Sequence, residues 1–194
     1  MAGRPKIFDN EEVINKAIAV FWSKGYEATS TEDLLEAMGI GKGSFYLAFK
    51  GGKKELFEKV LEQFRQQADA RMIKELANSD NPLDVIRNLF YNIAHAPKKV
   101  HHNGCFFGNT IVELASIEPQ LMNKSVGLLQ QLEDTFREII IAAQKHGQLK
   151  NSMRPDLLAK HLITAWNGLN VTRRMYPDEK TLLPLIEIQL QVLT

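Results

Sequence analysis

The 194-residue chain carries 24 Lys+Arg against 23 Asp+Glu, a formal net charge of +1, one cysteine and 44% hydrophobic residues. That apolar fraction excludes a disordered chain, and a single cysteine excludes an internal disulfide, which makes a reducing, cytoplasmic setting the expectation. No run approaches the ~18 apolar residues of a membrane span, and the opening residues lack a secretory stretch. The near-neutral total also argues against nucleic acid, whose binders usually carry a basic surface.

Apolar residues recur at helical spacing almost throughout. Val13, Ile14, Ala17, Ile18, Phe21 and Trp22 mark one face of a first helix that Lys24-Gly25 stops. A short helix is expected from about Thr31 to Met38, with Ser30 and Asp33 placed as a capping box. Gly39-Ile40-Gly41 reads as a turn, Lys42 to Phe49 as another short helix, and a longer one follows Gly52. Beyond Asn78–Pro82 come a helix carrying Val85, Ile86, Leu89, Phe90 and Ile93, then Phe106 to Ala115, and a long one from Leu121 to Ala143. Asp156 to Met175 and about Asp178 to Leu193 complete the chain. Period-two alternation is absent, so the fold class is all-α, with about nine helices.

Seven of the twelve glycines fall in the first 52 residues, where helices are short and turns tight. The remainder reads as a bundle. The expected organisation is therefore an N-terminal helix-turn-helix module at 1–52 and a larger helical domain at 53–194.

A helix-turn-helix needs small residues at its turn and polar or basic ones on the face that meets DNA. In Gly41-Lys42-Gly43-Ser44-Phe45-Tyr46-Leu47-Ala48-Phe49, Phe45 and Phe49 point to the core while Lys42, Gly43, Ser44 and Tyr46 face outward. From Ala37 to Lys54 there are four lysines and no acid. The near-zero total thus conceals a local basic patch.

The stretch from Phe21 to Phe49 closely resembles the DNA-binding module of the TetR family of transcriptional regulators. Phe21, Gly25, Ser30, Tyr46 and Phe49 carry the likeness. The resemblance implies a homodimeric, ligand-responsive repressor that binds a double-stranded DNA operator. Gly41 stands where such proteins often have Ser, Ala48 where they often have His, and the connector Lys50-Gly51-Gly52-Lys53-Lys54 is one residue longer than usual. The DNA contacts expected are backbone N–H groups of Ser30 and Thr31 on a phosphate, and Lys42, Gly43, Ser44 and Tyr46 in the major groove. Lys53 or Lys54 would hold the backbone, and Arg4 and Lys6 would reach the adjacent minor groove.

The last helix is apolar around most of its circumference, so it must be buried on more than one side. The expectation is a two-fold dimer through Leu158, Leu162, Ala165, Leu169, Leu182, Ile186, Leu190 and Leu193, with burial inside the chain as the alternative. Half-sites would then be spaced ~34–36 Å apart in a pseudo-palindromic operator. Cys105, Asn109 and Glu113, four apart on one helix, form a polar stripe suited to a ligand. This Gly-Cys-x-x-x-Asn-x-x-x-Glu pattern resembles a subgroup of the same family in which the cysteine opens a pocket-lining helix. A thiol so placed can sense electrophiles or oxidants, or serve as a small core hydrophobe. Phe90, Met122, Phe136, His161 and Trp166 are further candidates to line a small-molecule inducer site.

His95, His101, His102 and Cys105 lack the spacing of a known metal site, so no metal and no cofactor is expected. An all-α enzyme and a helical protein-binding adaptor are the alternatives. The first would need a nucleophile elbow, a phosphate loop or a Glu-x-x-His pair, and the sequence offers none.

Overall fold

The computed structural model describes residues 9–194. Within them the chain is helical with no strand: α1 (Asn10–Lys24), α2 (Thr31–Met38), α3 (Lys42–Ala48), α4 (Gly52–Ala77), α5 (Pro82–Ala94), α6 (Phe106–Leu114), α7 (Pro119–Lys145), α8 (Pro155–Met175) and α9 (Glu179–Leu190). Short 3-10 turns at Lys98–Val100 and Gln191–Leu193 add to what the periodicity indicates. No helix among the described residues is long and apolar enough to cross a membrane. The chain divides into two compact units between Asp69 and Ala70, inside α4, whereas the boundary expected at 52/53 coincides with the start of that helix.

The first unit is short helices locked by their ends. Asp9 caps α1 by accepting from the Glu11 N–H. The expected capping box of α2 forms in full: Ser30 Oγ accepts from the Asp33 N–H at 3.0 Å, and Asp33 Oδ2 accepts from the Ser30 N–H at 3.0 Å. Gly39, at φ +68°, ends α2 in the left-handed conformation, and its N–H and that of Ile40 both reach the Leu35 carbonyl. Phe21 meets Phe57 edge-on at 4.8 Å and Tyr26 meets Phe57 at 4.9 Å, while Leu34, Met38, Phe45 and Phe49 close the core. Burying each such side chain contributes roughly 1.5–3 kcal/mol before chain entropy is charged against it.

The second unit is a bundle. Leu83, Ile86 and Phe90 of α5, Leu132, Phe136 and Ile140 of α7, and Leu158 and Leu162 of α8 share one core with Leu182, Ile186 and Leu190 of α9. α9 meets α5 and α8, which covers Leu182, Ile186 and Leu190, while Leu183 and Leu185 are half-buried and Ile188 is exposed. The eight residues expected at a dimer interface are all buried here, from 0% exposed at Leu162 to 8% at Ala165. Packing inside the chain thus accounts for these eight side chains, while Ala165 and Leu169 also floor the open groove beside α9 and Ile188 remains 57% exposed.

Candidate nucleic-acid interface and pocket helix

α3 presents two faces. Phe45 and Phe49 are buried, with ring centres 5.4 Å apart, and they fix the inward side. Lys42 and Gly43 are exposed, Ser44 is half-buried, and Tyr46 is 44% exposed. Tyr46 stands perpendicular to Phe45 at 5.1 Å, which holds its ring on the outer side. Leu47 is 78% exposed and is not among the residues the sequence pattern singles out. The signal was available: with Phe45 and Phe49 inward, the residue midway between them must point out. Gly41 precedes the helix with no side-chain cap, so the first N–H groups of α3 have no side-chain acceptor there.

Two expected contacts take part in internal bonds. The Ser30 N–H is held by Asp33, so it is not open to a phosphate; of the expected amide pair, only that of Thr31 remains. Lys24 donates to Asp33 at 2.6 Å, and this bond, followed by those from Ser30, holds the Asp33 carboxyl well below its ordinary value, at about 2. Lys53 donates to the carbonyls of Tyr26 and Thr29 at 3.0 and 3.2 Å, so it braces the turn before α2. Arg4 and Lys6 lie outside the described residues.

In the second unit, Cys105 is the N-cap of α6, its Sγ accepting from the Gly108 N–H at 3.4 Å. Asn109 is a structural clamp. Its Nδ2 donates to the Asn103 carbonyl at 2.6 Å, and its Oδ1 accepts from Arg174 at 2.8 Å. The polar stripe is therefore satisfied at Asn109 by the chain itself, while Glu113 and Met122 are half-buried. Phe90, Phe136 and Trp166 do come together, with ring centres 6.4 Å apart for the first pair and 5.8 Å for Phe90 and Trp166. His161 does not join them. It is exposed on an open groove of about 280 Å³ with Thr164, Gly168, Thr172, Leu185 and Gln189, floored by Ala165 and Leu169.

The histidines near Cys105 are scattered. His101 is buried against Arg173, His102 is exposed, and His95 faces Glu179 at 3.7 Å. Among the described residues no three His, Cys, Asp or Glu side chains gather as a metal site would require.

Two sequence families match this chain. Residues 13–60 match the bacterial regulatory proteins of the tetR family, and residues 82–185 match the tetracyclin repressor-like C-terminal domain. The chain belongs to the TetR family. Its relatives are transcriptional regulators rather than enzymes. This TetR-family chain is 29% identical over 196 residues to the uncharacterized HTH-type transcriptional regulator YezE of Bacillus subtilis, covering 98% of this chain and 99% of that one. It is 28% identical to the HTH-type transcriptional repressor DhaR of a Mycobacterium species, over 91% and 90% of the two chains. Its fold is similar to that of a cysteine mutant of the TetR family regulator CifR in complex with 26-bp operator DNA, with a TM-score of 0.80, 25% identity, and coverage of 99% and 100%.

Proposed function

We propose that this chain is a homodimeric repressor that binds a pseudo-palindromic operator through α3 and leaves it when a small molecule or electrophile binds the second unit. The observation that carries the reading is the outer side of α3, where Lys42, Gly43, Tyr46 and Leu47 are exposed and Ser44 is half-buried while Phe45 and Phe49 anchor the other side. Lys42 and Ser44 offer donors to base edges and phosphates, Tyr46 a hydroxyl, and Leu47 an apolar contact for a thymine methyl. The exposed Gly43 lets the backbone come close. Lys53 braces the turn before α2 through the carbonyls of Tyr26 and Thr29, Lys54 beside it takes a phosphate at the start of α4, and the Thr31 N–H takes one at the start of α2.

The ligand-responsive part is the second unit, where Cys105 caps α6 and Phe90, Phe136 and Trp166 form an aromatic wall. The Gly-Cys-x-x-x-Asn-x-x-x-Glu pattern of residues 104–113 supports the same placement. The partner subunit meets the α8–α9 groove of His161, Thr164, Gly168, Thr172 and Leu185, rather than the buried leucines beneath it.

Selecting bound duplexes from a random library tests the whole reading. The expected yield is a symmetric site with two half-sites one helical turn apart, about 34–36 Å. Replacing Lys42 and Tyr46 by Ala should abolish binding while circular dichroism stays unchanged; undiminished affinity would overturn the role of α3. Unsymmetrical or random selected sequences would overturn the repressor.

A further inference from the structure

The second unit buries a positive charge with no negative charge beside it. Arg173, on the inner side of α8, is only 6% exposed. Its Nε donates to His101 Nδ1 at 3.2 Å, and its Nη1 donates to Asn170 Oδ1 at 3.4 Å. Its Nη2 is buried with no partner. Both acceptors are neutral. Burial first, and the Arg173 charge second, hold His101 below its ordinary pKa, so its ring is uncharged near neutral pH and Nδ1 is free to accept. Burial followed by the neighbouring Arg174 likewise pulls Arg173 below its usual value, and no acid counters that shift. Asp178 acts on His101 as the weakest of its influences.

A guanidinium cannot escape burial by losing its proton at physiological pH, so an unpaired one is retained at a cost that its two neutral hydrogen bonds do not offset. Arg174 does not share the problem. It lies at the surface and donates to the carbonyls of His102 and Asn103 and to Asn109.

Two further unpartnered atoms stand on the same helix: the Trp166 Nε1 donor and the Asn167 Oδ1 acceptor. Trp166, Asn170 and Arg173 follow one another at i, i+4 and i+7, which is one side of α8. Seven residues of helix span ~10 Å. One end of this face thus offers an unpaired cation, and the other an indole N–H beside the Phe90 ring.

We propose that this face of α8 binds a small carboxylic acid in its ionised form, the carboxylate on Arg173 Nη2 and the apolar body against Trp166. The proposal rests on the ligand-responsive reading of the second unit and names the chemical class of its ligand. A single uncompensated charge selects a monoanion; a phosphate dianion would leave one charge of its own unpaired in the same surroundings.

The experiment uses the full chain carrying Trp22→Phe, so that Trp166 alone reports by fluorescence. Benzoate, hexanoate and octanoate are titrated up to about 10 mM, beside benzamide, hexanamide and octanamide. At least one carboxylate should change the Trp166 emission saturably, with its amide at least about tenfold weaker. Arg173→Met should lose that response. Asn170→Asp places a carboxylate where Asn170 already accepts from Arg173, at the cost of the bond its Nδ2 donates to the Trp166 carbonyl at 2.9 Å, so it should abolish the response. Silence from all three acids, equal binding of acid and amide, or a response retained in Arg173→Met would each overturn the proposal.

Operator binding is measured separately, without acid. Loss there with carboxylate binding intact strikes the repressor reading alone, and the reverse strikes this proposal alone.

Discussion

Lys53 Nζ lies 4.4 Å above the centre of the Tyr26 ring and donates to the carbonyl of the same residue at 3.0 Å. A second bond to the Thr29 carbonyl ties the start of α4 to the turn between α1 and α2. Through these bonds the lysine braces the unit that carries α3. Lys53→Met should therefore cost about 1–2 kcal/mol of unfolding free energy, in line with the loss of charge-assisted hydrogen bonds. Lys54→Met should weaken operator binding and lower the slope of log affinity against log salt by about 0.9. Chemical denaturation and a salt titration of operator binding separate the two. A Lys53 variant of native stability that has lost DNA affinity would reverse the assignment.

Gly43 is the second residue of α3, and a Cβ built there meets nothing within 4 Å. In the free protein Gly43→Ala should then be stabilising, by roughly 0.5–1 kcal/mol, since glycine carries the larger entropic penalty in a helix. At the operator the added methyl stands between the backbone and the DNA. The expected outcome is a higher Tm together with weaker operator binding. A Gly43→Ala protein that binds as tightly as the native chain would show that the backbone makes no close approach at this position.

What the sequence made legible was local. Phe45 and Phe49 four residues apart, Ser30 three before Asp33, and glycine at the left-handed end of α2 each specify their structure within one or two turns. What it hid was pairing at a distance. His101 and Arg173 are 72 residues apart, and no periodicity joins them. The all-round apolarity of α9 was legible as burial on several sides, but not as burial against α5 and α8 of the same chain, because composition carries no record of which surface covers it. Lys53 and Lys54 differ by one position in a helix, and only the turn that Lys53 reaches tells them apart.

His101 gives the second unit a pH dependence whose sign follows from its burial. Its folded-state pKa lies below the ordinary 6.5, because burial and then the Arg173 charge disfavour the imidazolium. Between those two values the unfolded chain binds the extra proton and the folded chain does not. Stability from this group is thus fully present above about pH 6.5 and is lost as pH falls through the folded pKa. His101→Gln keeps an acceptor for Arg173 without a titration. The native chain should lose Tm on acidification from about pH 7 to about pH 5 more steeply than the Gln variant. Parallel curves would place the neutral imidazole outside the stability of the bundle.

Gly168 lines the open groove between α8 and α9, and a Cβ built there also meets nothing within 4 Å. A larger side chain therefore fits the isolated chain and obstructs only what docks on it. Gly168→Leu should leave the helical circular dichroism of the native protein and shift its mass in sedimentation equilibrium from dimer to monomer. Leu162, beneath the groove and 0% exposed, should behave in the opposite way. Leu162→Ala opens a cavity in the core and should cost about 2–5 kcal/mol while leaving the surface that meets a partner in place. The pair of variants separates a residue that holds the bundle from one that faces the second subunit. A Gly168→Leu protein that remains dimeric would move the interface away from this groove.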